Sequence, residues 1–213
     1  MTRQPAPFQS PGQTRTTPVP PDVRAHGLWA FESRHDSKFV MPATIHPFFK
    51  LLLIREGAGG VEIEGEQKPC RQGDLIIVPA NIRHRVVDLP RSPLSLYGLG
   101  VSLQQLPSVV SILEDLQPGV YGESMFRTLR IEQRLRKLLY LNDQNDAAGQ
   151  LSSIATALDL LAELSLALNP PRTRGALKTA PSVRHAAGKM RICLTIRCWK
   201  HISPGCTAIF TNR

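Results

Sequence analysis

Three side chains in the middle of the sequence, His46, Lys50 and His84, have the chemistry needed to hold a small polar molecule. Imidazole and ammonium groups form directional hydrogen bonds, and Phe48 and Trp29 could supply ring faces beside them. Because side chains alternate along a strand, His46, Phe48 and Lys50 share one face if their strand is unbroken. These five residues, His46, Phe48, Lys50, His84 and Trp29, are therefore the candidates for ligand binding if that face points into a cavity.

Each of these residues also has a purely structural interpretation. A single histidine in a sheet, such as His84, is more often packed or exposed than bound to a ligand. The Lys50 side chain can extend its charge to the rim of a barrel. The aromatic residues Trp29, Phe31 and Tyr97 can simply belong to the core.

The residues leading to His84 follow a known spacing. The order Gly73, Pro79, Asn81 and His84 reads G-x5-P-x-N-x2-H. It resembles the second signature of the cupin superfamily, with Asn81 in place of a glycine and Asp88 in place of the final asparagine. Asparagine tolerates the left-handed backbone that a glycine would supply, so the turn is expected to survive the exchange.

The first cupin signature, H-x-H-x3-E-x6-G, is preserved only in part. Counting back from Gly57 places Lys50 at the glutamate, His46 at the second histidine and Thr44 at the first. Two histidines with a threonine and a cationic lysine are a poor site for iron, zinc or manganese. The resemblance therefore implies a cupin barrel with no metal ligands and no cofactor.

The elements around these residues are short strands. Apolar or alternating runs at 27–33, 48–55, 60–64, 74–78, 82–87 and 94–101 are separated by glycine and proline. A hairpin turn is expected at Glu64 and Gly65. Such closely spaced strands predict a barrel or sandwich, and the helical segments that follow make the fold class α+β.

The residues after the predicted strands have a helical pattern. Helices are expected at 107–116, 123–141 and 147–168, the last with Asp146 as its N-cap and with prolines after it. Leu151, Leu158, Leu161 and Leu164 could form a dimer seam. The same leucines could instead cover the outside of their own barrel.

This order of elements resembles the sensor half of AraC-type transcription regulators. The resemblance covers about residues 26–168, with a cupin-like double-stranded β-helix (jelly-roll) barrel at 25–102 and an antiparallel helical dimerisation region at 103–168. It implies a small-molecule effector, often a sugar, a homodimer and no enzymatic activity. The rival hypothesis is a stand-alone cupin enzyme, a metal-dependent isomerase or dioxygenase.

The two ends of the chain differ from its body. Residues 1–24 are rich in proline and predict a disordered arm, which could also fold over a ligand. Residues 169–182 are expected to be a linker and 183–213 a basic tail. Of the 26 lysines and arginines, 9 lie in residues 170–213, which contain no acidic residue, although the net charge of the whole chain is +9.

The tail does not have the pattern of a DNA-binding unit. Two helix-turn-helix motifs do not fit into it, and its helical pattern is lost near residue 192, which suggests a truncated or out-of-frame sequence. DNA is therefore expected as a partner only if the intact protein has such motifs. The composition, with 42% hydrophobic residues, excludes a fully disordered chain.

Because the sequence contains no recognisable secretory signal or membrane segment, we expect a cytoplasmic protein. The N-terminus has no apolar core typical of a secretory signal. No uninterrupted apolar stretch reaches the roughly 18 residues of a membrane helix, so no membrane partner is expected.

Overall fold

A computed structural model of the chain describes residues 14–144 and 146–170. The strands are β1 (Leu28–Arg34), β2 (Phe49–Glu56), β3 (Ala58–Ile63), β4 (Glu66–Arg71), β5 (Leu75–Val78), β6 (His84–Asp88), β7 (Ser95–Val101) and β8 (Gly119–Tyr121). The helices are α1 (Val110–Glu114), α2 (Ile131–Asn142) and α3 (Ala147–Leu168), with 3₁₀ turns at Pro107–Val109, Glu123–Met125 and Arg127–Leu129.

The strands form two antiparallel sheets. One sheet has five strands in the order β1-β7-β2-β5-β8, and the other has three in the order β4-β3-β6. The inner faces of both sheets enclose an apolar cluster that includes Leu52, Ile54, Val61 and Val86. The fold is the expected α+β arrangement of a cupin-like barrel followed by helices.

The five-stranded sheet has two buried faces. Along β2, Leu52 and Ile54 point between the sheets, whereas Leu51 and Leu53 belong to a second cluster beneath the helices. A strand that is buried on both sides reads as a continuous apolar run, which explains the sequence of β2. Adjacent residues of this sheet therefore contact different layers of the protein.

The helices α2 and α3 form an antiparallel pair, since only a short connection separates Asn142 from Ala147. Helix α2 packs against β1 and β7. Asp146 caps α3 as expected, because its carboxylate accepts a hydrogen bond of 2.6 Å from the backbone N–H of Gly149. Arg134 links the two helices through Asp159 at 3.2 Å and Glu163 at 2.8 Å.

Two turns have the backbone that the sequence predicts. Asn81 has a left-handed φ of 63°, which confirms that it replaces the glycine of the cupin turn. Glu64 and Gly65 have φ values of 51° and 89° and join β3 to β4 in a tight hairpin. The strand β4 itself was not predicted, because Pro69 weakens its pattern; proline is tolerated here since β4 lies at a sheet edge.

The region between the barrel and α2 differs from the prediction. The expected helix at 107–116 is shorter, and the expected helix at 123–141 begins only at Ile131. Arg130, immediately before it, has a left-handed φ of 49°, which a continuing α-helix does not permit. Gly119 does not merely end a helix: it begins β8, which extends the five-stranded sheet beyond residue 102.

Two of the four leucines expected at a dimer seam are buried within their own chain. Leu161 and Leu164 have 0% of their surface exposed and pack in the cluster under the five-stranded sheet. This side of α3 docks on the barrel, which favours the alternative that these two leucines cover their own barrel. Leu158 is partly buried, and Leu151 is 67% exposed.

Helix α3 is, among the described helices, the one long and apolar enough to cross a membrane. The prediction concerned uninterrupted apolar stretches, and α3 is interrupted by polar residues such as Asp159 and Glu163. Length and composition are weak evidence, however, because core helices share them. Leu160, Leu161 and Leu164 of α3 pack in the core, as in the core helix of a soluble protein.

The described part of the N-terminal arm runs along the barrel instead of being free of it. Its backbone pairs with the end of β1, since Arg15 N–H donates to the Arg34 carbonyl at 2.8 Å. The Thr16 carbonyl accepts from Val40 N–H at 3.0 Å. The predictions for residues 1–13, for most of the linker and for the basic tail lie outside the described residues.

Candidate functional site

A cavity of about 150 Å³ lies between the two sheets at one end of the barrel, and we call it the barrel cavity. Its walls come from the arm, from β1, β2, β6 and β7, and from the segment before β2. Most of the lining is apolar. The lining residues are Pro18, Val19, Pro20, Pro21, Trp29, Phe31, Ser33, His35, Phe39, Met41, Thr44, His46, Lys50, Leu52, Val86 and Leu96.

The polar centre of the barrel cavity is a pair formed by Lys50 and His84. Their side-chain nitrogens, Nζ and Nε2, lie 3.1 Å apart, and the residues are 5% and 2% exposed. On its other side, His84 Nδ1 lies 3.0 Å from the carbonyl oxygen of Ile82. A carbonyl can only accept, so Nδ1 carries the proton, and Nε2 accepts a hydrogen bond from Lys50.

Burial shifts the titration of these groups. It lowers the pKa of the Lys50 ammonium to about 8. Burial, followed by the neighbouring positive charge of Lys50, lowers the pKa of His84 to about 4 despite the opposing hydrogen bond to Ile82. The same causes, with a smaller contribution from His84, lower the pKa of His46 to about 4. Near neutral pH the site therefore has one buried cation beside two neutral imidazoles.

Aromatic rings surround this polar centre. His46 stacks on Phe48 with ring centroids 4.8 Å apart, and its centroid lies 5.4 Å from that of His84. Trp29 stacks on Phe31 at 4.1 Å. The structure thus brings the five predicted ligand-binding residues together: Trp29, His46 and Lys50 line the cavity, whereas His84 and Phe48 lie behind the lining and contact Lys50 and His46.

Two glycines on β7 make room for these rings. Gly98 pairs with Phe31, and Gly100 pairs with Trp29, across the β1–β7 ladder. A Cβ atom at Gly98 would overlap the Phe31 ring, and one at Gly100 would lie 3.1 Å from Trp29. The alternation of glycine with apolar residues in β7 was a sequence signal for aromatic rings over this strand, and it was missed.

Sequence reasoning also missed several parts of the wall. Ser33 is 3% exposed, and its hydroxyl finds no hydrogen-bond partner among the described residues. The arm covers the barrel cavity with Pro18 and Pro21, which carry no catalytic or ligand chemistry that a motif could reveal. Met41 lies in the loop before β2 and accepts a 3.4 Å contact from the N–H of Val86.

A second buried polar pair supports the rim of the cavity. His35 Nδ1 lies 2.9 Å from the carboxylate of Asp88, and the His35 ring stacks on Phe39 at 3.5 Å. Asp88 also accepts a hydrogen bond of 3.1 Å from Leu94 N–H. Asp88 stands at the last position of the cupin signature, and here it holds His35.

The residues present do not fit the metal of a cupin enzyme. The Lys50 ammonium occupies the lone pair of His84 Nε2, which a metal ion would need, and its charge opposes a cation. Over residues 14–144 and 146–170, no three histidine, cysteine, aspartate or glutamate side chains converge as a ligand set. The site can instead bind through one cation, neutral imidazoles and apolar walls.

A larger cleft of about 460 Å³ lies between β2 and the start of α2. Its charged residues already pair with each other, with Arg127 3.5 Å from Glu123 and Arg55 3.7 Å from Glu132. Arg127, Glu123 and Glu132 are each more than half exposed, so water competes there with any ligand, and the more buried Arg55 is already held by Glu32 at 2.9 Å. The smaller and more buried barrel cavity is therefore the better candidate.

Comparison with known proteins identifies a family. Residues 28–161 match the family model described as the AraC-like ligand binding domain. Among solved structures, the AraC-like transcriptional activator CuxR is 12% identical over 66% of this chain and 52% of that chain, with a TM-score of 0.47. A cupin protein from Bacteroides fragilis is 18% identical over 36% of this chain and 66% of that chain, with a TM-score of 0.34.

A third similar structure is that of KdgF from Halomonas sp., which is 25% identical over 36% of this chain and 70% of that chain, with a TM-score of 0.33. The chain thus spans about half the length of CuxR and just under two thirds of the Bacteroides protein. None of the curated proteins matches the sequence significantly.

Proposed function

The chain belongs to the family of AraC-like ligand-binding domains, and on this premise we propose that it is the effector-sensing and dimerising part of a cytoplasmic AraC-type transcription regulator and not an enzyme. The barrel cavity is the effector site. The observation that carries this proposal is the Lys50–His84 pair, which places oriented donors at the base of an apolar cavity. Such a combination of apolar walls and few polar groups is typical of small-molecule sites.

Each predicted ligand-binding residue receives a role in this proposal. Lys50 and His46 bind polar groups of the effector, and His84 orients Lys50 through its Nε2 atom. Trp29 provides an apolar wall, and Phe48 supports the His46 ring by stacking. None of these roles requires bond cleavage.

The arm is the second part of the proposed sensor. Pro18 and Pro21 lie over the barrel cavity, and the backbone of Arg15 and Thr16 fixes the arm to the barrel edge. An effector that fills the cavity gains contacts with the arm and stabilises it in this position. Ligand binding thereby changes the population of arm conformations, which is how a sensor can report on its effector.

The proposal of an effector site is tested by thermal shift of the full chain. The screen uses monosaccharides, because a sugar is one candidate effector, together with aromatic and aliphatic acids and neutral aromatic compounds. Ser33→Leu fills the cavity without breaking a hydrogen bond of the described residues, so it should abolish every specific shift. Ser37→Leu, at an exposed site, is the control. A shift that persists in Ser33→Leu contradicts binding in the barrel cavity.

The dimer interface proposed here is the exposed side of α3. Leu151 and Leu166 are 67% and 63% exposed, and Ala155, Leu158 and Ala162 lie between them on the same side of the helix. An apolar stripe along a 22-residue helix is suited to packing against a second copy. A homodimer formed through α3 is therefore the proposed state, with Leu151 and Leu158 retained from the predicted seam.

An enzymatic cupin is the alternative function. It requires a metal bound through His46 and His84, and the Lys50–His84 hydrogen bond argues against this. Metal analysis of purified protein tests the choice. Stoichiometric iron, zinc or manganese that is lost in His84→Gln would contradict the regulator proposal.

Control of transcription needs a DNA-reading unit, which the described residues do not include. We assign this role to helix-turn-helix motifs of the intact protein. The hypothesis that the sequence from about residue 192 is truncated or out of frame has a direct test. Translation of the coding DNA in the other two frames should reveal a helix-turn-helix pair, and its absence from both frames would overturn the hypothesis.

A further inference from the structure

Within the described part of the chain, the Lys50 ammonium inside the barrel cavity has no ion-pair partner of opposite charge. Lys50 is 5% exposed, and no carboxylate of the described residues lies within ion-pair distance of its Nζ atom. Its described hydrogen bond goes to a neutral imidazole, which accepts one of three N–H groups. An isolated buried charge is costly, so a fold that retains one gains from a partner of opposite sign.

The titratable groups around this charge do not provide that partner. His84 and His46 are neutral near pH 7, and their full protonation would only add positive charge. His35 faces the cavity as well, but Asp88 behind it already binds both the His35 ring and the N–H of Leu94. The Asp88 carboxylate thus already has its hydrogen-bond partners at the rim of the cavity, and the Lys50 ammonium is available to bind an anionic ligand.

The rest of the barrel cavity limits the shape of that ligand. Phe31, Leu52, Val86 and Leu96 form an apolar wall, and the buried Ser33 hydroxyl is the additional group without a partner within the described chain. A cavity of about 150 Å³ has the size of an engineered apolar cavity that binds benzene. The space therefore suits a body of about one six-membered ring.

From these contacts we infer that the effector is a small organic monocarboxylate, with its anionic group on the Lys50 ammonium and an apolar ring or short chain against Phe31 and Leu52. A sugar fits less well, because many of its hydroxyls would face apolar walls without hydrogen-bond partners. This inference rests on the proposed function, since it names the ligand class of the same effector site.

The test compares charged and neutral ligands of the same shape. Benzoate and benzamide, and cyclohexanecarboxylate and its amide, are titrated into the full chain by calorimetry at pH 7. A charge-assisted hydrogen bond in a buried site predicts that each acid binds about ten-fold more tightly than its amide, or better. Lys50→Met should remove this preference, whereas Lys68→Met, at an exposed lysine on β4, should keep it.

Wild-type protein provides a readout that needs no variant. Affinity for benzoate should fall about ten-fold between pH 7 and pH 9.5 as Lys50 loses its proton, while affinity for benzamide stays constant. Equal binding of acid and amide, or a preference unchanged by Lys50→Met and by pH, would overturn the inference.

The possible failures are distinguishable. If neutral compounds or sugars bind and Ser33→Leu abolishes their binding, the cavity remains the effector site and only the anionic class is wrong. If no compound of any class binds in a way that Ser33→Leu abolishes, the proposed effector site and the inference both fail.

Discussion

The ring of Phe31 covers Gly98 on the neighbouring strand, so closely that a Cβ atom at Gly98 would overlap it. This contact sets the position of one wall of the barrel cavity, because Phe31 stacks on Trp29 and both rings line the cavity. The glycine is therefore part of the site, although it contributes no side chain.

Gly98→Ala should destabilise the protein by about 1–3 kcal/mol and weaken effector binding, since the Phe31 ring must leave its position. Chemical denaturation and ligand titration measure the two effects. Gly122→Ala is a matched control, because nothing lies within 4 Å of its added Cβ. If Gly98→Ala combined with Phe31→Ala is no more stable than expected from the two changes separately, the overlap is not the cause.

Lys50→Met should stabilise the protein at pH 7, because it removes a buried ammonium whose pKa burial has lowered from 10.5 to about 8. The unfolded lysine binds its proton more tightly, so wild-type stability rises with pH between about 8 and 10.5. The advantage of the variant, at most on the order of 3 kcal/mol, should therefore shrink over that range. Thermal unfolding at pH 7 and pH 10 checks this.

The exposed Lys68→Met is the control for that measurement, and it should change stability by less than about 0.5 kcal/mol. A variant Lys50→Met that is less stable than wild type at pH 7 would show that the hydrogen bond to His84 outweighs the cost of the buried charge.

Acid should destabilise the protein through its cavity histidines. The pKa of His84 is about 4 in the folded state and near 6.5 in the unfolded state, so the unfolded state binds more protons between these values. Stability therefore falls as the pH drops from 6.5 to 4, by about 3 kcal/mol for His84 alone. Urea unfolding across this range should give a smaller loss for His84→Gln; an identical pH profile would refute the assignment.

Leu151→Glu combined with Leu166→Glu should convert the proposed dimer to a monomer, because both changes place charges on the exposed side of α3. Light scattering after size-exclusion chromatography measures the mass. Leu89→Glu, at a leucine that is 53% exposed outside the helices, should leave the dimer intact. If the protein remains a dimer after both α3 changes, its dimer interface lies elsewhere on the surface.

Much of the site was predictable because β2 is regular. Alternation along this strand groups Lys50 with Leu52, and both line the barrel cavity, whereas the spacing from Gly73 singles out His84, which contacts Lys50 from behind the lining. Ser33 and the prolines of the arm were not predictable. Their place depends on strand register and on how a segment without regular structure crosses the barrel, which periodicity does not encode.

Helix α3 shows a different limit. Its ends were predicted because Asp146 and the following prolines are local signals. Which side faces the barrel was not, since apolar residues occur all around the helix. Leu161 and Leu151 therefore looked equivalent in the sequence, although the first is fully buried and the second is largely exposed.

The two buried faces of the five-stranded sheet have a mechanical consequence. Lys50 reaches the cavity while its chain neighbour Leu51 contacts the layer of helices, so a single strand separates the cavity from the surface that α2 and α3 cover. We expect a displacement of β2 by an occupant of the cavity to move the helices packed on its other face, because one packed layer is only about 10 Å thick. The barrel cavity and the helices thus share β2 as a common wall.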